Sequence, residues 1–169
     1  TRIGHALVSR RYHEAISLIC ESSVMLADGL HAYYGEHPRD PIGCLRTLPK
    51  TLLMLYVHSY QSMLWNETVR EYLSTLTTSS PPVSTSLETV PLIGFDLSCR
   101  DPVLRDIVES ILEREGIQPY HFIFRDMPEL CAEGGERKMM VAVSDLIIGD
   151  LFPNLLGEGF QCTISFSLP

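Results

Sequence analysis

The chain has 169 residues, of which 45% are hydrophobic and 20% are charged, and its formal net charge is -8. This size and composition are typical of an ordinary globular protein with one main domain and part of another, and they exclude a disordered or collagen-like chain. The net negative charge argues against a uniformly basic nucleic-acid-binding protein, because phosphate neutralisation needs clustered Lys and Arg, although a local basic patch stays open.

The first half of the chain is predicted to be almost purely helical. Apolar residues recur at helical spacing in Ile3–Cys20, as one amphipathic helix or a pair of short ones, and again in Val24–Gly35. Two prolines between His37 and Gly43 predict a loop. The longest helix is predicted from about 49 to 76, because Pro49 stands in its first turn and neither Pro nor Gly interrupts it.

The second half is predicted to be mixed. After a Ser/Thr/Pro stretch at 77–86, expected to be an exposed loop, short apolar runs at 90–97, 120–124, 136–143 and 160–168 have the length of strands. A helix is predicted at about 101–115, with Ser98 or Asp101 as its N-cap, Pro102 in its first turn and Gly116 as its stop. The fold class is therefore α+β, a helical half followed by a small sheet with one packed helix.

Motifs of the common catalytic and metal sites are missing from the sequence. The five cysteines, at 20, 44, 99, 131 and 162, form no CxxC pair, so we interpret them as free thiols of a reducing compartment. The histidines lack the spacing of a zinc site, and neither a GxSxG turn nor a phosphate-binding glycine loop is present. We therefore expect no metal and no organic cofactor.

A polar row interrupts the apolar surface of the long helix. His58, Ser62 and Asn66 are four residues apart and lie in one row, hereafter the polar row, and Gln61 flanks it. Buried polar groups without partners would cost about 1–3 kcal/mol each, so the row faces either a neighbouring element, which is the more usual case, or a ligand.

Two pairs of cations could contact phosphate. Arg137 and Lys138 follow two adjacent glycines, which fits either a phosphate contact or a hairpin-like turn with a solvated Arg. Arg10 and Arg11 could likewise meet a phosphate, and an exposed helix face explains them equally well.

Four segments in order resemble the TruD family of pseudouridine synthases. "LPKTLLMLYVHSYQSMLWNETV" resembles the family's signature helix, which ends in Asn. The other three are "VPLIGFDL", "GGERKMMVAVSDL" and "TISFSLP", which is similar to the strand before the family's C-terminal "GSYAT" motif. The sequences of these segments are closer to the eukaryotic branch of the family, and the resemblance covers the chain from Ile3 to Pro169.

The resemblance implies an enzyme that isomerises uridine to pseudouridine in tRNA or another RNA, with mRNA and snRNA as further candidates. The family needs no metal or cofactor and uses an Asp in an N-terminal motif that has no counterpart here, so no residue of this chain is assigned a catalytic role. Residues 1–159 are expected to match mainly the family's insertion domain, and 160–169 the strand that returns toward the catalytic domain. Thr1 in place of Met indicates an excised piece, which we expect to be inactive alone.

The resemblance also implies where contacts are made. The insertion domain faces the catalytic domain across a cleft that accepts RNA, so both are expected partners, whereas a membrane is not. The candidates for these contacts are Arg10, Arg11, His58, Gln61, Ser62, Asn66, Arg137 and Lys138. In this chain we expect the polar row to be partly exposed. The alternative is a non-catalytic domain for protein contact, and the expected location is inside the cell, with the nucleus favoured over the cytoplasm.

Overall fold

The structure is a computed structural model that describes residues 1–78, 89–153, 157 and 159–168. Its α-helices are α1 Arg2–Val8, α2 Tyr12–Ser22, α3 Val24–Glu36, α4 Pro41–Arg46, α5 Lys50–Thr78 and α6 Pro102–Glu115. Two 3-10 helices follow at Pro119–Phe122 and Pro128–Leu130. The strands are β1 Thr89–Leu92, β2 Gly135–Lys138, β3 Ser144–Ile148, β4 Phe152–Pro153, β5 Phe160–Gln161 and β6 Ile164–Ser167.

The chain divides into two compact units, Thr1–Arg137 and Lys138–Pro169. The core of the first unit is built around α5, against which α1 and α6 pack. The α5 residues that enter this core are Leu53, Val57, Tyr60 and Leu64. Helix α1 approaches α5 so closely that a Cβ on Gly4 would lie 2.1 Å from the carbonyl oxygen of Tyr56. Only glycine leaves room for this crossing.

The second unit contains two antiparallel ribbons. Strand β3 pairs with β6, with a bulge between Ser144 and Ile147 where Asp145 has a φ of 52°. Strand β4 pairs with β5, Phe152 opposite Gln161. Each ribbon has two strands among the residues that the structure describes.

The predicted fold class and its two main helices are confirmed. The long helix spans Lys50–Thr78, and α6 begins after Asp101, whose carboxylate accepts a hydrogen bond of 2.9 Å from the Leu104 amide. Gly116 ends α6 with a φ of 67°, a left-handed conformation that glycine adopts without strain. The N-terminal segment is a pair of helices, the second of the two forms expected.

Several predicted elements are wrong. No strand forms at 120–124, because Pro119 starts a 3-10 helix that includes 120–122, with His121 accepting the Gln118 amide, and 123–124 follow it without regular structure. The predicted loop at 37–43 gives way to α4 at Pro41, which Asp40 caps through the Gly43 amide. The strand predicted at 136–143 stops at Lys138.

Other sequence predictions differ from the structure in extent, or concern residues that the structure does not describe. The single small sheet is replaced by three separate two-stranded sheets in the described residues. Of the loop predicted at 77–86, residues 77 and 78 belong to α5, and 79–86 lie outside the described residues. Among the helices that the structure describes, none has the length and hydropathy needed to cross a membrane.

Candidate functional site

The polar row lies on the surface of α5. His58 and Asn66 are exposed and Ser62 is half-buried, so the expectation of partial exposure is confirmed. Within the described ranges, none of the three side chains forms a hydrogen bond or an ion pair. Because the opposite face of α5 carries the buried residues Val57 and Leu64, the helix presents one face to the core and a polar face to the outside.

Gln61 differs from the polar row because its side chain is buried. Its side chain is 3% exposed, and Nε2 donates hydrogen bonds of 2.9 Å to the carbonyl oxygens of both Ile93 and Glu133. These carbonyls belong to two segments that are far apart in the chain, one after β1 and one before β2. Gln61 therefore ties both segments to α5.

The two segments approach each other at glycines. A Cβ on Gly94 would lie 2.2 Å from the Gly134 amide nitrogen, and that amide donates a hydrogen bond to the Asp96 carboxylate. Strand β2 then pairs with β1 rather than with an adjacent strand, so the two glycines do not form the hairpin-like turn considered above. Gly94 and Gly134 instead permit a close backbone crossing.

Arg137 lies over an aromatic ring of α5. Its Cζ is 4.7 Å from the centroid of the Trp65 ring, and Trp65 Nε1 donates a hydrogen bond of 3.2 Å to the Val90 carbonyl. This cation–π contact holds the guanidinium beside the turn of α5 that also carries Asn66. Arg137 and Lys138 are exposed, and neither forms an ion pair within the part of the chain that the structure describes. Two cations are thus available to an anion.

Arg10 and Arg11 have different surroundings. Arg10 has a φ of 61°, a conformation that costs a residue with a Cβ about 1–2 kcal/mol. Its guanidinium donates to the carbonyls of Val8 at 3.1 Å and Ile123 at 2.6 Å, which offsets that cost and joins the α1–α2 turn to the segment after α6. Arg11 is exposed and pairs with Glu14 at 2.8 Å. Arg10 is therefore held in place, whereas Arg11 is partly neutralised.

A cavity beside Arg10 was missed in the sequence. It has a volume of about 540 Å³ and is lined in part by Tyr12, Tyr120 and Arg125. Its walls are 113 positions apart in the chain, as the bond from Arg10 to Ile123 shows, so no local spacing predicts it. The only indication of the cavity in the sequence is its composition: the segment "RRY" and the distant segment "PYHFIFR" are both rich in aromatic and basic residues.

The remaining buried polar contacts are structural. The Tyr60 hydroxyl donates to Glu115 at 3.0 Å, and burial together with that carboxylate raises the pKa of Tyr60 far above its usual value. In the described ranges, no three His, Cys, Asp or Glu side chains are grouped as metal ligands.

The comparisons with known proteins agree with one another. A family model described as "tRNA pseudouridine synthase D (TruD)" matches residues 5–87. A "Probable tRNA pseudouridine synthase D" of Methanopyrus kandleri is 36% identical over 111 residues, which cover 63% of this chain and 28% of the relative. A protein of the same description from Nanoarchaeum equitans is 32% identical over 89 residues, 47% of this chain and 23% of the relative.

A solved structure has the same fold. It comes from Methanosarcina mazei and is described as a tRNA pseudouridine synthase D (TruD). The two chains superpose with a TM-score of 0.73 and 16% sequence identity, over 99% of this chain and 53% of the other. This chain therefore spans about half of that structure, and 28% or less of the two archaeal relatives.

Proposed function

This chain belongs to the TruD family of tRNA pseudouridine synthases, and we propose that it forms one side of the RNA-binding cleft of such an enzyme. The whole protein isomerises uridine to pseudouridine in tRNA or another RNA and needs neither metal nor cofactor. The catalytic Asp lies outside this chain, in the domain that faces it across the cleft. Residues 1–159 act as the insertion domain, and 160–169 lead back to the catalytic domain.

The observation that carries this proposal is the unpartnered polar face of α5 beside the guanidinium of Arg137. His58, Ser62 and Asn66 have hydrogen-bonding capacity that no described residue uses, and Arg137 is fixed against the same helix by Trp65. RNA offers the matching chemistry, since its phosphates take cations and its 2′-hydroxyls and base edges take amides, hydroxyls and imidazoles. Gln61 contributes indirectly, because its amide is already bonded within the unit.

The net charge of -8 sets the expected strength of binding. Long-range attraction to RNA is absent in a chain of this charge, so affinity must come from local contacts. Each phosphate contact to a single strand adds roughly 0.7 to the slope of log affinity against log salt, so Arg137 and Lys138 together account for about 1.4. We expect weak and salt-sensitive binding.

The test is a titration of this chain with a uridine-containing RNA at about 50 and 200 mM salt. The variant with both Arg137→Ala and Lys138→Ala should bind more weakly at low salt and show a shallower salt dependence. The matched control combines Arg39→Ala and Lys50→Ala, which removes the same charge at two exposed positions of the helical half. Equal loss in both double variants would mean that only net charge matters, and no binding by the unaltered chain would refute the RNA role.

Catalysis is tested separately. We expect no pseudouridine when this chain alone is incubated with the RNA, because the catalytic Asp is supplied by the rest of the protein. Pseudouridine in the RNA is detected by its chemical reactivity, which differs from that of uridine. A complete TruD enzyme is the positive control. Turnover by the 169 residues would contradict the proposed division of labour.

A second candidate function, protein contact, is favoured by the second unit. Ile147 and Ile148 of β3 are 65% and 66% exposed, and because neighbouring strand residues point to opposite faces, both faces of this ribbon are uncovered. Two-stranded ribbons are marginally stable in water by themselves. The partner we propose is the protein's own catalytic domain, whose addition in trans should protect the β3 and β6 amides from hydrogen exchange.

The location remains a prediction. The sequence favoured the nucleus over the cytoplasm, whereas the relatives described above are archaeal and so give the nucleus no support. tRNA is the substrate that the names of these relatives favour over mRNA or snRNA.

A further inference from the structure

The cavity beside Arg10 has the chemistry of a nucleotide site. Its volume of about 540 Å³ lies within the usual range of ligand cavities. Two guanidinium groups, Arg10 and Arg125, and the exposed ring of Tyr120 line it together with His121. Cations beside an exposed aromatic ring are the combination that binds single-stranded RNA, where the phosphate meets the cation and the base stacks on the ring.

The two cations differ in how they are held. Arg10 is fixed by its bonds to the Val8 and Ile123 carbonyls, and its Cζ lies 4.4 Å from the centroid of the Phe124 ring. Arg125 is exposed, and no described residue bonds to its guanidinium. Since carbonyls and a ring leave the charge of Arg10 unneutralised, the cavity has two positive charges, one held by hydrogen bonds and one not, against the single carboxylate of Asp126.

A buried hydroxyl in the cavity lacks a partner. Tyr12 is 8% exposed, and within the described residues its hydroxyl has neither donor nor acceptor. Burial is the main cause that raises the pKa of Tyr12, which keeps the hydroxyl protonated and able to donate. Native proteins rarely leave such a group unsatisfied, so its partner is expected from outside the described residues, and a bound ligand can supply it.

Two further groups complete the polar lining. His121 Nδ1 accepts the Gln118 amide at 2.9 Å, and burial lowers the pKa of His121, so the neutral ring carries its hydrogen on Nε2 as a donor. The carboxylate of Asp126 supplies an acceptor. A uracil edge has the complementary pattern, because one carbonyl acceptor stands on each side of its single N–H donor.

From this arrangement we infer that the cavity binds one unstacked uridine nucleotide of an RNA. The base stacks on Tyr120 and meets Tyr12 and His121 with its carbonyls, and the phosphate meets Arg125. The inference rests on the proposed RNA function, since it names a contact that the same RNA makes with this chain.

The test uses a decauridine RNA with the unaltered chain and with paired variants. Tyr120→Leu removes the ring and should weaken binding about five-fold or more, whereas Tyr120→Phe keeps the ring and should bind as the unaltered chain does. Arg125→Gln should lower the salt slope by about 0.7, and the control Arg39→Gln, which removes an equal charge at an exposed position, should leave it unchanged.

Tyr12→Phe separates a binding role from a structural one. Removing an unpartnered buried hydroxyl should leave the melting temperature unchanged or higher, and the affinity for decauridine should nevertheless fall several-fold. A fall in melting temperature with unchanged affinity would assign Tyr12 to the fold and overturn its role here.

Nuclear magnetic resonance distinguishes a nucleotide from a bare anion. Uridine 5′-monophosphate should shift the amides of Gln118 and of residues 120–126 at lower concentration than either uridine or inorganic phosphate. Equal effects of phosphate and the nucleotide would reduce the cavity to an anion site and overturn the inference. If decauridine binds and only the Arg137 and Lys138 variant weakens it, this inference fails while the proposed function stands, and no binding at low salt sinks both.

Discussion

The buried amide of Gln61 makes a sharp prediction about stability. Gln61→Leu keeps the approximate size of the side chain and removes both hydrogen bonds, which leaves the Ile93 and Glu133 carbonyls without their donor. A hydrogen bond contributes about 0.5–1.5 kcal/mol net, and a carbonyl left buried without a partner costs about 1–3 kcal/mol. Ile93 is fully buried, so the two effects together should lower the free energy of unfolding by about 2–3 kcal/mol.

The assay is urea unfolding followed by circular dichroism, with Asn66→Leu as the control. Both changes replace an amide by the same apolar side chain on α5, but Asn66 is exposed, so its replacement should change stability by less than about 0.5 kcal/mol. Hydrogen exchange adds a local measurement, since the Gly134 amide should exchange faster in the Gln61 variant. If Gln61→Leu costs no more than Asn66→Leu, the two bonds do not hold the segments to α5, and the structural role assigned to Gln61 is wrong.

Three further changes test other parts of the first unit. Gly4→Ala would place a Cβ 2.1 Å from the Tyr56 carbonyl oxygen, so we expect a loss of about 3 kcal/mol or more in urea unfolding, and a cost below about 1 kcal/mol would contradict the close helix crossing. Trp65→Phe keeps a ring but removes the donor to Val90, which should cost about 1–2 kcal/mol by the same measurement; an unchanged midpoint would refute that bond. The Gly43 amide and Tyr33 hydroxyl lower the pKa of Asp40 below its ordinary value of 3.8, so its contribution to stability is present above that pH and is lost as the pH falls through the lower, folded value. Asp40→Asn should therefore flatten the acid side of a stability profile, and an identical profile would argue against this cap.

Local signals in the sequence account for the parts of the fold that could be predicted. The Asp101 cap, Pro102 and Gly116 act within a few residues of themselves, and the helix between them is found with the expected bounds. The same holds for α5, where the absence of Pro and Gly is a local property. Where prediction failed, a longer-range contact decided: residues 120–124 alternate like a strand, yet Phe122 and Phe124 are buried by a 3-10 turn and the segment after it.

The candidate site was predictable to a similar degree. Helical spacing alone placed His58, Ser62 and Asn66 in one row, and the expectation that this row is partly exposed came from the family resemblance. The same spacing could not separate Gln61 from that row, because its burial depends on two backbone segments that arrive from positions 93 and 133. The contact of Arg137 with Trp65 joins α5 to β2 across the chain and has no signature in either segment alone.

The acidic composition hides an uneven distribution of charge. Four arginines already pair with carboxylates, Arg11 with Glu14, Arg46 with Glu129, Arg70 with Glu67 and Arg114 with Glu71. Such exposed pairs contribute little to stability, but they cancel charge where they occur. Arg125, Arg137 and Lys138 have no such partner among the described residues, and the first two lie beside aromatic rings of the cavity and of α5. Net charge therefore argues only against diffuse attraction to RNA, because two of the unpaired cations, Arg125 and Arg137, lie beside aromatic rings on which a base or ribose can rest.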